Sequence, residues 1–172
     1  MRLFHVSEEA DIATFMPRLP SRADIPPIPI VWALSEECLP NFLTPRNCPR
    51  VAFHMAAHST EADAAAFFTG GGRRHVVAVE NSWLAAMCTT TLYIYEFDPA
   101  DFTLQDEQAG YYTSQRIPTI IGKRAVENPL AELFRLGVEV RLLPCLWDLA
   151  DCVKSTSLAW SLCRMVYARP RA

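Results

Sequence analysis

The chain has 172 residues, of which 51% are hydrophobic and 20% are charged, and its formal net charge at pH 7 is -3. A chain of this length can bury roughly 70% of the surface that its unfolded form exposes, so we expect a single domain over residues 1–172. The composition excludes a disordered chain, and the small negative charge argues against nucleic acid as a partner.

The start of the chain, MRLFHVSEEAD, contains acidic residues by position 8 and no long apolar run. Such a start is typical of neither a signal peptide nor a transmembrane helix, so we expect a cytoplasmic protein without a membrane partner. The six cysteines are scattered and contain no Cys-x-x-Cys pair. This spacing favours reduced, mostly buried thiols over disulfides or a zinc knuckle.

The first predicted element is a strand, RLFHV, with Leu3 and His5 on the same face. The following segment, SEEADIATF, predicts a short helix that begins at Ser7 as its cap and stops before Pro17. His5 would then lie beside a helix N-terminus, where anions and ribose hydroxyls can be held. For Ser7 the capping role is the simpler interpretation.

The middle of the chain repeats this strand-then-helix pattern. A proline-rich extended loop, residues 17–29, leads to the strand IVWALS, and Ser35 begins a second helix in SEECLPNFL. CPRVAFHM predicts a third strand, and STEADAAAFF a third capped helix. The TGGGRR turn is not a phosphate loop, because no Gly-Lys-Ser or Gly-Lys-Thr closes it.

The remaining segments alternate strands with short helices. HVVAVE and TLYIYEF predict alternating strands around the helix SWLAAMC, DPADFTL a turn-rich link, and GYYTS an aromatic strand. NPLAELFRLG predicts a helix that Gly137 ends, and it is followed by the strand VEVRLLP and the helix LWDLADCVKST. LAWSLCRMVYA fits a last strand, with a helix as the alternative. This interspersed order predicts an α+β fold.

Two common kinds of catalytic site lack support. HMAAH places His54 and His58 four residues apart, as on one face of a helix, but His54 falls at a strand end and no glutamate stands beside it. We therefore expect no metal site. No Gly-x-Ser-x-Gly elbow or cysteine signature indicates a nucleophile.

Polar and aromatic residues at or near the ends of predicted strands form the more suggestive set. They are His5, Ser7, Trp32, Ser35, Tyr111, Tyr112 and Ser114. Such residues can line a cleft that stacks a flat ring and hydrogen-bonds a sugar. The alternative is that these residues are only structural: a buried histidine, a core tryptophan and two half-exposed tyrosines. Arg46 and Arg50, in TPRNCPRV, could bind a pyrophosphate, although solvated surface arginines are the alternative.

Several of these motifs occur together in a known family. MRLFHVSEE with FMPR, VWALSEECLPNFLTPRNCPRV, AGYYTS, VEVRLLP and RMVYARPR resemble an uncharacterised bacterial domain family of about this length. More distantly, the order of LFHVS, VWALS and YYTSQRIP is similar to the ADP-ribosyltransferase-like fold. That resemblance implies two packed mixed or antiparallel sheets with short helices and a cleft for NAD. It also implies that His5 binds the adenine-side ribose and that Trp32 or Ser35 supports the nicotinamide half.

The late glutamate of that superfamily has no counterpart in this chain. The corresponding strand carries Tyr111, Tyr112 and Ser114, and the neutral amide of Gln115 follows. Cleavage of NAD builds positive charge on the ribose, which a neutral amide cannot balance. The acids that could reach the cleft from elsewhere are Glu80, Glu107 and Glu139.

Three hypotheses about function follow from the sequence. The first is an enzyme that consumes NAD by ADP-ribosyl transfer or hydrolysis, and the second is a module that binds NAD or a related nucleotide without turnover. The third is an interaction protein in which His5 is only structural. We expect the α+β, transferase-like fold and a nucleotide ligand, with enzyme activity left open.

Overall fold

The computed structural model describes residues 1–20, 26–69, 74–107 and 109–171, and within them the chain forms ten strands and four α-helices. The strands are β1 (Leu3–Ser7), β2 (Val31–Ser35), β3 (Arg50–His54), β4 (His75–Glu80), β5 (Leu92–Phe97), β6 (Thr103–Asp106), β7 (Tyr111–Ser114), β8 (Ile120–Val126), β9 (Glu139–Leu143) and β10 (Ala159–Cys163). The helices are α1 (Glu61–Phe67), α2 (Leu84–Thr89), α3 (Pro129–Arg135) and α4 (Trp147–Lys154). The predicted α+β class with two sheets is confirmed.

The chain divides into two compact units. The first unit comprises Met1–Leu39 and Leu92–Val126, and the second comprises Pro40–Thr91 and Glu127–Ala172. Each unit contains one sheet, of six and four strands respectively. The single domain over residues 1–172 stays a prediction. No helix in the described ranges is long and apolar enough to span a membrane.

The sheet of the first unit is antiparallel throughout, in the order β6-β7-β2-β1-β5-β8. β1 lies in the middle and pairs with β5 along its whole length, with His5 opposite Tyr95. Because side chains alternate along a strand, Leu3 and His5 share one face, as predicted. On this face a core cluster forms, consisting of Leu3, Phe15, Val31, Ala33, Tyr95 and Phe97.

The segment after β1 is not the predicted helix. Residues 8–16 form no helix or strand, and the Ser7 hydroxyl accepts a hydrogen bond from the Glu9 main-chain nitrogen at 3.1 Å. The hydroxyl of Tyr95 lies 2.7 Å from the carbonyl oxygens of Glu9 and Ala10 and accepts from the Ile12 nitrogen at 3.1 Å. These bonds to a distant side chain replace the i to i+4 bonds of a helix, so tertiary structure overrides the local signal.

Two further predictions for the chain around β2 and β7 need correction. SEECLPNFL forms a turn and then a 3-10 helix at Leu39–Phe42, since Pro40 lies inside the segment and lacks a main-chain donor. DPADFTL contains a 3-10 turn at Pro99–Asp101 and the beginning of strand β6.

The edge strand β8 was not predicted. Residues 21–25 of the predicted proline-rich loop and the triple glycine at 70–72 lie outside the described residues.

The sheet of the second unit has the order β10-β3-β4-β9, in which only β4 and β9 are parallel. Every side chain of β3 and β4 is buried, so the alternation predicted for HVVAVE is wrong: the strand is buried on both faces. One face packs against α4, where Val51, Phe53, Val76 and Ala78 meet Leu146, Ala150 and Val153.

The helices of the second unit use the caps that their sequences offer. The Thr60 hydroxyl accepts from the Asp63 nitrogen at the start of α1, and the Asn128 side chain accepts from the Ala131 nitrogen at the start of α3. Gly137, with φ of 72°, follows α3 as predicted. The last run resolves into β10 and a 3-10 turn at Met165–Tyr167, so the strand interpretation is confirmed.

Candidate functional site

The first unit holds His5 at the point where two central strands separate. The pairing of β1 with β2 is limited to Leu3 opposite Ser35 and Phe4 opposite Leu34. Beyond these pairs, His5 Nδ1 lies 3.2 Å from the main-chain oxygen of Trp32. A carbonyl oxygen can only accept, so Nδ1 carries the hydrogen and Nε2 of the neutral ring is an acceptor. Within the described residues this is the ring's one hydrogen bond.

The surroundings of His5 favour the neutral ring. Burial lowers the pKa of His5 below its usual value of 6.5, and the hydrogen bond to the Trp32 carbonyl opposes this only in part. Phe15 packs edge-on against the imidazole with 4.8 Å between ring centroids, and Phe97 lies 6.4 Å away. At pH 7 the ring is therefore mostly uncharged, and its Nε2 is an unprotonated atom that can accept a hydrogen bond.

Several of the predicted site residues share the face of the sheet that carries His5. The register pairs Leu3 with Ser35, Ala33 with Tyr112, and Val31 with Ser114. Directly opposite residues point to the same side of an antiparallel sheet. The histidine face, as we call it, therefore carries His5, Ser7, Ser35, Tyr112 and Ser114.

Trp32 and Tyr111 project from the opposite face. They alternate with the histidine-face residues of β2 and β7, and their rings meet edge to face at 5.5 Å. The structure thus brings Trp32 to His5 only through its main-chain oxygen. The two aromatic rings form a separate pair, and one surface of the sheet does not hold all of the predicted residues.

The three serine hydroxyls of the histidine face differ in their local bonds. Ser114 accepts from the Arg116 nitrogen and donates to the Arg116 oxygen, each at 3.1 Å, so its hydroxyl closes a turn. Ser35 accepts from the Cys38 nitrogen at 3.3 Å. The hydroxyls of Ser35 and Ser7 each accept one main-chain bond, which leaves the hydroxyl hydrogen for another acceptor.

Arg46 and Arg50 belong to the second unit. Arg46 is exposed, whereas Arg50 is 5% exposed. Arg50 donates from Nε to the main-chain oxygen of Asn41 and from Nη1 to the main-chain oxygen of Cys48. Its guanidinium lies 4.6 Å from the centre of the Phe42 ring. These contacts tie a loop of its own unit together, which is a structural use of the arginine.

None of the three acids that the sequence offered for the cleft, Glu80, Glu107 and Glu139, stands on a strand position of the histidine face. Glu80, in the second unit, is buried and accepts from the Arg169 main-chain nitrogen at 2.8 Å. Glu139, in the same unit, pairs with Arg141 at 2.7 Å. Glu107 follows β6 in the first unit. The histidine-face positions of β1, β2, β5 and β7 carry no acidic residue.

Phe15 and Tyr95 are residues of this site that the sequence did not single out. Phe15 packs against the rings of His5, Tyr95 and Phe97, with the last two centroids at 5.1 and 4.9 Å. The only local signal was the alternation of TLYIYEF, which places Tyr95 on an inward face. That this face meets His5 depends on the pairing of β1 with β5, which local patterns do not contain.

The histidines of HMAAH do not come together. His54 ends β3 and is buried, whereas His58 lies in the following turn and is exposed. The ring of His54 instead stacks on His75 at 4.9 Å, and His75 Nε2 lies 2.6 Å from the Asn41 side-chain oxygen. Among the described residues no group of three or more His, Cys, Asp or Glu side chains could hold a metal ion.

Comparison with known proteins places the chain in a family. The model of the Family of unknown function (DUF6886) matches residues 4–168, so the chain belongs to this family. No curated protein and no solved structure matches it. The similarity to the ADP-ribosyltransferase-like fold therefore stays a prediction.

Proposed function

We propose that the histidine face binds NAD or a related nucleotide, with Nε2 of neutral His5 accepting a hydrogen bond from a ribose hydroxyl. One observation carries the proposal: the bond from Nδ1 to the Trp32 oxygen makes Nε2 the acceptor. A neutral acceptor suits a sugar hydroxyl, which donates, better than a phosphate, which needs donors. This is the role that the resemblance implies for His5.

Ser35 and Tyr112 supply further polar and aromatic groups for such a ligand. Tyr112 stands opposite Ala33, so only the small Ala33 separates it from His5 across the sheet. Tyr112 and His5 stand on the same face of the sheet, on strands with only β2 between them, which suits a sugar with an attached ring. Stacking on Tyr112 would add specificity for a flat base.

The proposal is a binding function, and turnover is a separate question. The strand positions of the histidine face carry no carboxylate to balance the charge that develops when the glycosidic bond of NAD breaks. Nucleotide binding without cleavage is therefore the expected behaviour. ADP-ribosyl transfer or hydrolysis of NAD would require a carboxylate from outside these strand positions.

Calorimetric titration of NAD into the wild-type protein and into His5→Asn tests the proposal. Asparagine can keep a donor to the Trp32 oxygen but lacks the Nε2 acceptor, so we expect at least about tenfold weaker binding, as for a lost hydrogen bond. Trp32→Phe changes the opposite face and keeps the main-chain oxygen, so its affinity should equal that of the wild type. Nicotinamide release, followed in the same samples, separates a binding module from an enzyme.

Two results would contradict the proposal. One is the absence of binding at millimolar NAD, and the other is equal affinity in the wild type and His5→Asn. The second result, with lower stability of His5→Asn, would favour an interaction protein in which His5 only packs against Phe15 and Phe97.

A further inference from the structure

The segment after β1 lies on the histidine face and is held there by side chains. The Tyr95 hydroxyl contacts the carbonyl oxygens of Glu9 and Ala10 and accepts from the Ile12 nitrogen. Lys123 also donates to the Ala10 oxygen, at 2.7 Å. In the part of the chain that the structure describes, the main chain of residues 10–15 has no other hydrogen-bond partner.

The far end of this segment is fixed by one aromatic ring. Phe15 is 8% exposed and packs against His5. Ala33, which separates His5 from Tyr112 on the sheet, belongs to the same cluster as Phe15 and is fully buried. The sheet surface between His5 and Tyr112, the two proposed ligand contacts, is therefore covered in this structure.

A segment held in this way can open without breaking the sheet. Its main chain takes no part in a helix or a strand ladder, and most of its side chains between residues 8 and 15 are exposed or half-buried. Segments whose main chain is outside strand ladders and whose side chains are mostly exposed open at a lower free-energy cost than core strands. Opening includes the loss of the Tyr95 bonds, of the Lys123 bond to Ala10 and of its ion pair with Asp11 at 3.7 Å. It also includes the withdrawal of Phe15 and the partly buried Ile12 from the core cluster.

We propose that residues 8–15 are a lid on the histidine face, closed by the Tyr95 hydroxyl and the Phe15 ring. In the open state Phe15 leaves the His5 ring, and the space above Ala33 becomes available to the sugar and base of a nucleotide. The ligand part of this inference rests on the proposed function; the lid itself does not. Lids of this kind exclude water from a bound ligand and control its entry.

Chemical labelling of His5 tests the lid without any ligand. Diethyl pyrocarbonate carbethoxylates an unprotonated imidazole nitrogen that it can reach, and the tryptic peptide of residues 3–18 contains His5 as its one histidine. Tyr95→Phe keeps the ring but loses the hydroxyl bonds to the lid. Tyr93→Phe is the matched control, because Tyr93 lies on the same strand and face and its hydroxyl makes no hydrogen bond within the described residues.

The lid predicts that His5 in Tyr95→Phe reacts about tenfold faster than in the wild type, as for the loss of one to two hydrogen bonds that hold the closed state. Tyr93→Phe should react at the wild-type rate. Lys123→Met, which changes a half-exposed side chain at an edge strand, should give a smaller increase. Equal rates in the wild type, Tyr95→Phe and Lys123→Met would overturn the lid.

Adding NAD to the labelling reaction separates the two proposals. Faster labelling of Tyr95→Phe, with protection by NAD, supports both the lid and the nucleotide site. Faster labelling without protection supports the lid and contradicts the nucleotide site. Labelling of the buried His54 and His75 along with His5 would indicate general unfolding of Tyr95→Phe. In that case the labelling of Lys123→Met decides between the two. If His5 alone is labelled faster in this variant than in the wild type, the lid is supported, and if His5 is labelled at the wild-type rate, the lid is overturned.

Discussion

The main-chain oxygen of Trp32 holds the ring of His5 through Nδ1, at 3.2 Å, where β1 and β2 cease to pair. The two residues are thus connected, but not through the Trp32 side chain, which projects from the other face of the sheet. Because a carbonyl is common to all residues, the tautomer of His5 does not depend on a tryptophan at position 32. This relationship gives His5 an acceptor at Nε2 and underlies the proposed site.

The lowered pKa of His5 predicts a particular pH dependence of stability. Its folded-state pKa lies below the unfolded value of about 6.5, so the unfolded chain takes up the proton first as the pH falls. The contribution of neutral His5 is fully present above about pH 6.5 and is lost towards the folded-state pKa. Urea unfolding at several pH values should show the stability advantage of the wild type over His5→Asn shrinking from pH 7.5 to pH 5. Parallel curves would contradict this.

Gly110 should not tolerate a side chain. Its φ is +62°, and an added Cβ would lie 2.5 Å from the Ser35 hydroxyl oxygen and 2.6 Å from the Cys38 sulfur. We expect Gly110→Ala to lower the free energy of unfolding by about 1–3 kcal/mol, since both backbone strain and crowding oppose it. Gly122→Ala is the control, because its Cβ would meet Glu96 at an ordinary 3.5 Å. Equal denaturation midpoints for the two variants would contradict the expected crowding.

Arg50 should be needed for stability and Arg46 should not. Arg50→Met fills much of the same space but leaves the buried Asn41 and Cys48 oxygens without their guanidinium donor. We expect a loss of about 3 kcal/mol in the free energy of unfolding. Arg46→Met, at an exposed position, should stay within about 0.5 kcal/mol of the wild type. Chemical denaturation of both variants measures this, and an Arg50→Met variant as stable as the wild type would refute the structural role.

The thiols of Cys48 and Cys152 should differ sharply in reactivity. Burial raises the pKa of Cys48 to about 12, so almost no thiolate forms at pH 8. Cys152 is exposed on α4. In the folded protein iodoacetamide should modify Cys152 and leave Cys48 intact until urea unfolds the chain, as peptide mass mapping would record. Modification of Cys48 in the absence of urea would contradict its burial.

Local patterns predicted the strands better than the segments around the site. The strand patterns at β3, β5 and β9 and the caps at Thr60 and Asn128 are local signals, and the structure follows them closely. The helix expected after Ser7 fails because the partner that holds this segment, Tyr95, is remote in sequence. The edge strand β8 was missed because a glycine and two charged residues, Gly122, Lys123 and Arg124, interrupt its apolar pattern and most of its side chains are exposed.

The division of the candidate residues between two faces was accessible from the sequence. Alternation within β2 alone separates Trp32 from Ser35, and alternation within β7 separates Tyr111 from Tyr112. What alternation cannot supply is the register between strands, which sets Tyr112 and His5 on one face, or the contact of Phe15 with His5. The site therefore depends on pairings that only the folded chain reveals.

The ¹⁵N spectrum of the His5 side chain, recorded at pH 7.5 with and without NAD, tests the central claim most directly. We expect a neutral ring with the hydrogen on Nδ1 and an unprotonated Nε2 whose resonance shifts when NAD is added, because a ribose hydroxyl then donates to it. A protonated Nε2, or a spectrum that millimolar NAD leaves unchanged, would contradict the proposed site.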